Sequence, residues 1–354
     1  GRPAGDRGVV RPGRGRLTTA EDALARPDPP SSHVLVTGGA GLIGIAACRR
    51  LVELGHHVRV FDEPHRLSAA AGLLPDAVET VWGDLLRRDE VDDAVAGCER
   101  VIHLAAMVGV ARTERLPLRC MDVNVTGTRH VLDAAHRRGA AKVVFASSSE
   151  VYGEPLGNPI HEDAITQGRT VYAVSKLAGE ELCKGFATEH GLRTTILRLF
   201  NVYGPWQSRQ FVVPLFVDAV RRGEPPTVFG RGDQRRGYAF VTDTAEAVVR
   251  ASEPGVADGE TLNVGKGDEP VTLIELARAA IAAAGRAGEI EPRVLGSFEG
   301  SDRRASREIH HRYCDSSGAR AVLQWSPGVT LAEGLRRMLD ADPAQALPVE
   351  AEGE

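Results

Sequence analysis

A chain of 354 residues, 42% apolar and 26% charged, has an ordinary globular composition and the length for about two domains, which excludes global disorder and a collagen-like repeat. Its formal net charge of −5 leaves no basic field to hold a polyanion, so no nucleic-acid partner is expected. No apolar run approaches the roughly 20 residues that span a bilayer, and the Arg-containing start lacks the hydrophobic stretch of a secretion signal, so no membrane partner and a cytoplasmic location are expected.

Residues 1–32 carry Arg, Gly and Pro without apolar periodicity, and Pro27-Asp28-Pro29-Pro30 cannot continue a regular element; they read as a disordered leader. From His33, short β-branched runs at 34–37, 58–61, 80–82, 101–104, 143–147 and 194–199 predict strands. Between them 43–54, 91–96, 123–138 and 172–190 carry apolar residues at helical spacing. This alternation predicts an α/β fold with a doubly wound parallel sheet, covered on both faces and occupying 33–200. After residue 200 the pattern becomes irregular and rich in Gly and Pro. Residues 201–340 are expected to form mainly a smaller α/β substrate-binding lobe, with helices at 273–284 and 331–339 and with segments returning to the sheet. Residues 341–354, rich in Ala, Pro and Glu, read as a flexible tail. Cys48, Cys98, Cys120, Cys183 and Cys314 lie far apart without the paired spacing of a zinc site or disulfide framework, so reduced packing thiols and no metal are expected.

The first predicted strand runs into Gly38-x-x-Gly41-x-x-Gly44, which opens a helix. Glycines there allow a tight turn and let backbone N–H groups approach a pyrophosphate at the helix N-terminus. Asp62 ends the next strand, where a carboxylate accepts from ribose hydroxyls and repels a 2′-phosphate; this favours NAD over NADP. Asp84, in Gly83-Asp84-Leu85 after the third strand, is placed to accept from an adenine amino group.

Two more clusters fall at strand ends, where open α/β sheets bind ligands. The fifth strand leads into Ser147-Ser148-Ser149-Glu150-Val151-Tyr152-Gly153, and Tyr172 and Lys176 stand at i and i+4 on one helix face. A cation held near a phenol favours the phenolate, the form a general base for a sugar hydroxyl requires.

In this order, together with His103-Leu104-Ala105-Ala106, Asn124, Arg198 to Gly204 and Asn263-Val264-Gly265, these motifs make the chain resemble the extended short-chain dehydrogenase/reductase family of NAD-dependent nucleotide-sugar epimerases, dehydratases and decarboxylases, across roughly residues 33–339. The resemblance implies a Rossmann-type sheet with NAD held by Gly38, Gly41, Leu42, Ile43, Gly44, Asp62, Asp84, Leu85, Leu104, Ala105, Ala106, Asn124, Tyr172 and Lys176. It implies catalysis by Ser148, Ser149, Glu150, Tyr172 and Lys176 on a UDP- or dTDP-linked sugar. Tyr172 would take the C4 hydroxyl proton, Lys176 would lower the pKa of Tyr172, and Ser148 would bond the same sugar oxygen. Asn201 and Arg236 fall where the family binds the sugar diphosphate. A homodimer through the helices at 123–138 and 172–190 is also implied.

The triplet Ser148-Ser149-Glu150 lacks the Asp-Glu pair usual in the dehydratases and has an acid where 4-epimerases usually carry a small or neutral residue. It fits the decarboxylases acting on UDP-glucuronate best, with a UDP-sugar 4-epimerase next and a dehydratase third. Arg112 and Arg115 are candidates for holding a substrate carboxylate. A dinucleotide-sensing regulatory protein without catalysis is the alternative of another class, and retention of Ser148, Tyr172 and Lys176 speaks against it.

Overall fold

Short Val- and Ile-rich runs, buried almost throughout in the central strands, build the centre of the molecule. The computed structural model describes residues 31–297 and 309–349. Strands β1 (His33–Thr37), β2 (His57–Asp62), β3 (Glu79–Trp82), β4 (Arg100–His103), β5 (Lys142–Ser148) and β6 (Thr194–Leu199) join a seventh, Thr261–Val264, in one sheet. Its order is Thr261–Val264, β6, β5, β4, β1, β2, β3, with every pairing parallel. Successive side chains of a strand point to opposite faces. Val34, Val36, Val60, Ile102, Val144 and Leu197 therefore pack on helix α1 (Leu42–Glu53) and helix Val241–Ala251. Leu35, Val101, Val143, Phe145 and Ile196 meet helices Arg88–Val95, Thr128–Arg138 and Val171–His190 on the other face. Each such side chain, fully buried, contributes about 1.5–3 kcal/mol.

The sheet does not end at residue 200. Helix Val241–Ala251 covers its face and strand Thr261–Val264 pairs with β6, so the chain leaves for the lobe and comes back. The lobe is built from two- and three-stranded ribbons and from helices Val212–Arg221, Leu273–Ala283 and Leu331–Asp340. Thr272 and Glu275 cap the second of these helices reciprocally, which explains its sharp start.

The disordered leader expected over 1–32 falls outside the described residues up to residue 30. Ser31 donates to the Gly55 carbonyl at 3.0 Å, and the Ser32 carbonyl accepts the His57 N–H at 3.0 Å. Of the flexible tail expected from 341, residues 341–349 are described, and they make specific contacts with the rest of the chain. Arg221 Nη2 donates to the Ala341 carbonyl at 2.6 Å, Arg209 Nη2 to the Pro343 carbonyl at 2.9 Å, and the Leu347 N–H to the Trp206 carbonyl at 3.0 Å. The side chain of Leu347 packs on a small cluster of Ala40, Ile45, Ala70 and Leu73. Residues 350–354 lie outside the described residues.

Candidate active site

Strand order reverses at β1, whose neighbours β2 and β4 are reached by crossovers in opposite directions, and the crevice beyond the two strand ends is where such sheets take ligands. A large cavity opens there. Gly38 has φ +70°, and a Cβ on it would stand 2.6 Å from the Ala105 nitrogen. A Cβ on Gly44 would stand 2.4 Å from the Gly38 carbonyl, so both positions admit only glycine. Helix α1 starts at Gly41 without a side-chain cap, and Gly38, Gly41, Leu42, Ile43 and Gly44 line the cavity. Asp62 closes the same wall: one carboxylate oxygen accepts the Ala40 N–H at 3.0 Å and the other the Glu63 N–H at 2.9 Å. Burial raises its carboxyl pKa, opposed by nearby Arg66. Asp84, Leu85, Leu104, Ala105 and Ala106 continue the lining.

At the other end β5 delivers Ser148, which begins the single turn Ser149–Tyr152 and accepts the Glu150 N–H at 3.2 Å. Helix Val171–His190 presents Tyr172 and Lys176 to the same space; Thr170 caps its start by accepting the Ala173 N–H at 3.1 Å. The Thr170 hydroxyl also donates to Glu150 Oε2 at 3.3 Å, which ties the acid to the start of that helix. Ser148, Ser149, Glu150, Tyr172, Lys176 and Asn201 all line the cavity, and Ser148 stands near enough to Tyr172 to favour its ionised form.

Behind this cluster runs a buried polar network. Ser147 Oγ donates to Glu180 at 2.5 Å, Arg198 grips both oxygens of Glu180 at 3.0 and 2.8 Å and donates to the Tyr152 oxygen at 2.9 Å, and Tyr152 donates to Asn263 at 2.7 Å. A buried ion pair satisfied by further hydrogen bonds fixes geometry more than it adds stability. Here it locks helix Val171–His190 to β5, β6 and strand Thr261–Val264.

Comparison with known proteins decides the family. The profile of the NAD dependent epimerase/dehydratase family matches residues 34–265. The chain is 33% identical over 315 residues to a UDP-N-acetyl-alpha-D-glucosaminuronate decarboxylase of Bacillus cytotoxicus, covering 86% of this chain and 96% of that one. It is 36% identical over 320 residues to a UDP-glucose 4-epimerase of Mycolicibacterium smegmatis, covering 87% and 97%. The solved UDP-glucuronic acid 4-epimerase of Bacillus cereus, in complex with UDP-glucuronic acid and NAD, superposes with a TM-score of 0.76 at 28% identity over 87% of this chain and 98% of that one. The chain belongs to the NAD dependent epimerase/dehydratase family. It is an enzyme of that family, and its cofactor is NAD.

The cavity wall fits the family's dinucleotide: glycines sit where any Cβ would intrude, an uncapped helix start faces the cavity, and a buried carboxylate stands at the end of β2. Two residues expected at the ligand are elsewhere. Asn124 is turned into the protein, where its amide accepts the Met107 N–H at 2.7 Å and donates to the Met107 carbonyl at 3.2 Å and Ser175 Oγ at 2.9 Å; it braces the loop after β4 from behind. Arg236 does not line the cavity either, because its guanidinium donates to the Arg235 and His310 carbonyls at 2.8 and 3.1 Å. Its register partner on the neighbouring strand, Arg312, lines the cavity instead.

The expected lowering of the Tyr172 pKa is also corrected. Burial, then the charge of Glu150, push the phenol up, against nearby Ser148 and Arg312. Lys176 gives its Nζ to the Ala146 carbonyl at 2.8 Å, 5.8 Å from the Tyr172 ring centre, and burial brings its own pKa down to about 8. Besides Arg312, sequence reasoning passed over Thr170, Gln207, Ser208, Gln210 and Leu347, all of which line the cavity.

His103 ends β4 beneath this floor. Thr128 Oγ1 donates to the Asn124 carbonyl at 2.6 Å, so toward His103 Nε2, at 2.9 Å, it accepts. Nδ1 is then the acceptor of the Thr37 hydroxyl at 2.7 Å, and the tautomer follows from the network. Burial, helped by Lys176, pushes the imidazole pKa down to about 3. An unfolded chain binds that proton near pH 6.5. Stability from this group is therefore complete above pH 6.5 and lost as pH falls toward 3, with a slope of about 1.4 kcal/mol per pH unit. In urea titrations between pH 4 and 6, His103→Gln should flatten the slope by that amount; equal slopes in both proteins would remove the assignment.

Proposed function

We propose that the enzyme removes the carboxylate of a UDP-linked glucuronate-type sugar through a 4-keto intermediate. One arrangement carries this reading: the Ser148-Ser149-Glu150 turn sets Glu150 beside Tyr172, in a cavity whose wall also holds Arg112 and Arg312. The decarboxylase relative supports it. The glycine turn and Asp62 would hold NAD, which when bound would supply a reversible hydride acceptor for C4.

Tyr172 takes the C4 hydroxyl proton, and Ser148 holds the oxygen from which it leaves. The resulting ketone is β to the C6 carboxylate, so the C5–C6 electron pair moves toward the C4 oxygen as carbon dioxide departs. Protonated Tyr172 and Ser148 stabilise the charge collecting there. Glu150 acts at C5, moving a proton or orienting the group attached to it, while Arg112 and Arg312 pair with carboxylate or diphosphate oxygens in forked geometry. Asn201, on the same wall, belongs to the substrate half.

The second reading is 4-epimerisation, favoured by the 4-epimerase relatives: the ketone turns over and takes the hydride back on its other face. Incubation with UDP-glucuronate and a panel of UDP- and dTDP-sugars, read by mass spectrometry, tests the choice. A UDP-pentose with release of carbon dioxide is expected; a chromatographically distinct isomer of the substrate, of unchanged mass, would establish epimerisation instead.

The reading includes a homodimer in the cytoplasm. Helices Thr128–Arg138 and Val171–His190 pack side by side on one outer layer, where Val174 is exposed. All five thiols are unpaired and buried, and among the described residues no helix is long and apolar enough to cross a membrane.

A further inference from the structure

Residues 204–211 form a loop over the cavity, beginning against α1: a Cβ on Gly204 would stand 3.4 Å from Leu42, and the Trp206 ring lies under the Arg49 guanidinium at 4.4 Å. The loop ends opposite the segment after β4, where Gln210 Oε1 would stand 3.5 Å from a Cβ on Gly109. Two of its side chains, Gln207 and Ser208, are each 8% exposed and line the cavity. Gln207 spends its amide nitrogen on the Val202 carbonyl at 2.9 Å, but its Oε1 and the Ser208 Oγ have no hydrogen-bond partner. A buried polar atom left without a partner costs about 1–3 kcal/mol, so this pair is built for something that binds.

The C-terminal segment 342–349 grips the loop on both sides of that pair. The Leu347 N–H donates to the Trp206 carbonyl at 3.0 Å, one residue before Gln207, and Arg209 donates to the Pro343 carbonyl at 2.9 Å, one residue after Ser208. Leu347 then packs on Ala40 and Ile45, at the glycine turn and in α1, and Leu347 and Pro348 themselves form part of the cavity wall. The segment is itself fixed by Arg221 on the Leu339 and Ala341 carbonyls, and by Asp342, which accepts the Ala344 N–H at 2.9 Å.

We propose that residues 342–349 are a strap that holds the 204–211 loop down over the dinucleotide, so that Gln207 Oε1 accepts, and Ser208 Oγ donates or accepts, hydrogen bonds from it. The inference rests on NAD occupying this cavity. An acceptor-only amide oxygen selects an O–H or N–H donor and excludes a phosphate oxygen, so on the cofactor it would take a ribose hydroxyl, the carboxamide or the adenine amino group. Entry and exit of NAD then require the strap to lift. Because the family's chemistry returns the hydride to the sugar in the same site, a cofactor that stays bound between turnovers is of direct use.

The test follows release of bound NADH from the full-length protein, by loss of its fluorescence on a chase with excess NAD, while UDP binding and the melting temperature of the cofactor-free protein are measured in parallel. Leu347→Asp, Arg209→Ala and deletion of residues 342–354 should each speed release about tenfold, equivalent to about 1.4 kcal/mol, without changing UDP affinity. Leu347→Met should restore slow release, and Gln207→Leu should speed it in the intact chain. If the deletion prevents folding, the point variants give the answer. Release within twofold of wild type in all of them would overturn the strap, and a wild-type protein that bound no NADH would overturn the cofactor placement on which it rests.

Discussion

Replacing Tyr172 by phenylalanine is expected to cut turnover by at least about 10², the usual contribution of a positioned general base, while NAD remains bound. The ring that borders the cavity is retained and only the phenol oxygen is lost. Burial and Glu150 hold the phenol in its protonated form in the resting protein, so proton removal depends on positive charge arriving beside it. Arg312 is one such charge in the chain, and Lys176, 5.8 Å from the ring centre, is a second. With a pKa lowered to about 8 by burial, Lys176 is cationic below that pH and loses the proton above it, so turnover should fall on the alkaline side. Steady-state rates from pH 6 to 10, with bound NAD measured separately, check both statements. Near-wild-type turnover of Tyr172→Phe would rule out the general-base assignment.

Glu150→Gln is expected to divide the reaction in two. The amide keeps the shape of the side chain and can still accept from Thr170, as Glu150 Oε2 does at 3.3 Å, but it cannot take up a proton. Oxidation at C4 should proceed, and the steps at C5 should slow by about 10² or more. Absorbance of reduced cofactor and a 4-keto sugar would then accumulate in a single turnover with UDP-glucuronate. A 4-epimerase has no step at C5, and in such an enzyme the substitution would be nearly silent. An unchanged single-turnover trace would therefore move the assignment to epimerisation.

The strand–helix alternation, the glycine turn and the Tyr172–Lys176 face were legible because each follows from local rules: β-branched runs, φ above zero, and the i to i+4 spacing of a helix. Ser148 and Glu150 were legible because they extend a strand whose end had to face the crevice. Arg236 was misplaced because a strand of two residues does not determine where a long flexible side chain ends; it turned to the carbonyls at 309–310, and its register partner Arg312 reached the cavity. Asn124 was assigned to the ligand and instead supports the loop that lines it, a distinction of a few ångströms that helical spacing does not carry. That segments after 200 return to the sheet was expected, but not that they are helix Val241–Ala251 and strand Thr261–Val264, because turn-rich lobe segments hide the continuing alternation. The tail at 341–349 has no periodicity at all, and what orders it is a handful of long-range anchors: one leucine side chain and carbonyls gripped by Arg209 and Arg221.

The lobe's position in the chain bears on how the protein is made. Strand Thr261–Val264 pairs along β6, yet residues 200–260 separate them, so a nascent chain emerging from the ribosome presents β6 with one open edge until the first part of the lobe has been synthesised. The equilibrium cost of closing so long a connection is modest, since it grows only with the logarithm of its length. The interval is the hazard, because an unpaired hydrophobic edge recruits other chains. Once the last strand docks, Thr195 donates to the Ala257 carbonyl at 2.6 Å and Lys142 reaches Asp258 at 2.6 Å, sealing the margin with side chains from both halves. A fragment ending at residue 200 would keep the glycine turn, Tyr172 and Lys176 but carry that bare margin permanently. The residues before and after 200 thus share one sheet, completed by its late-arriving strand.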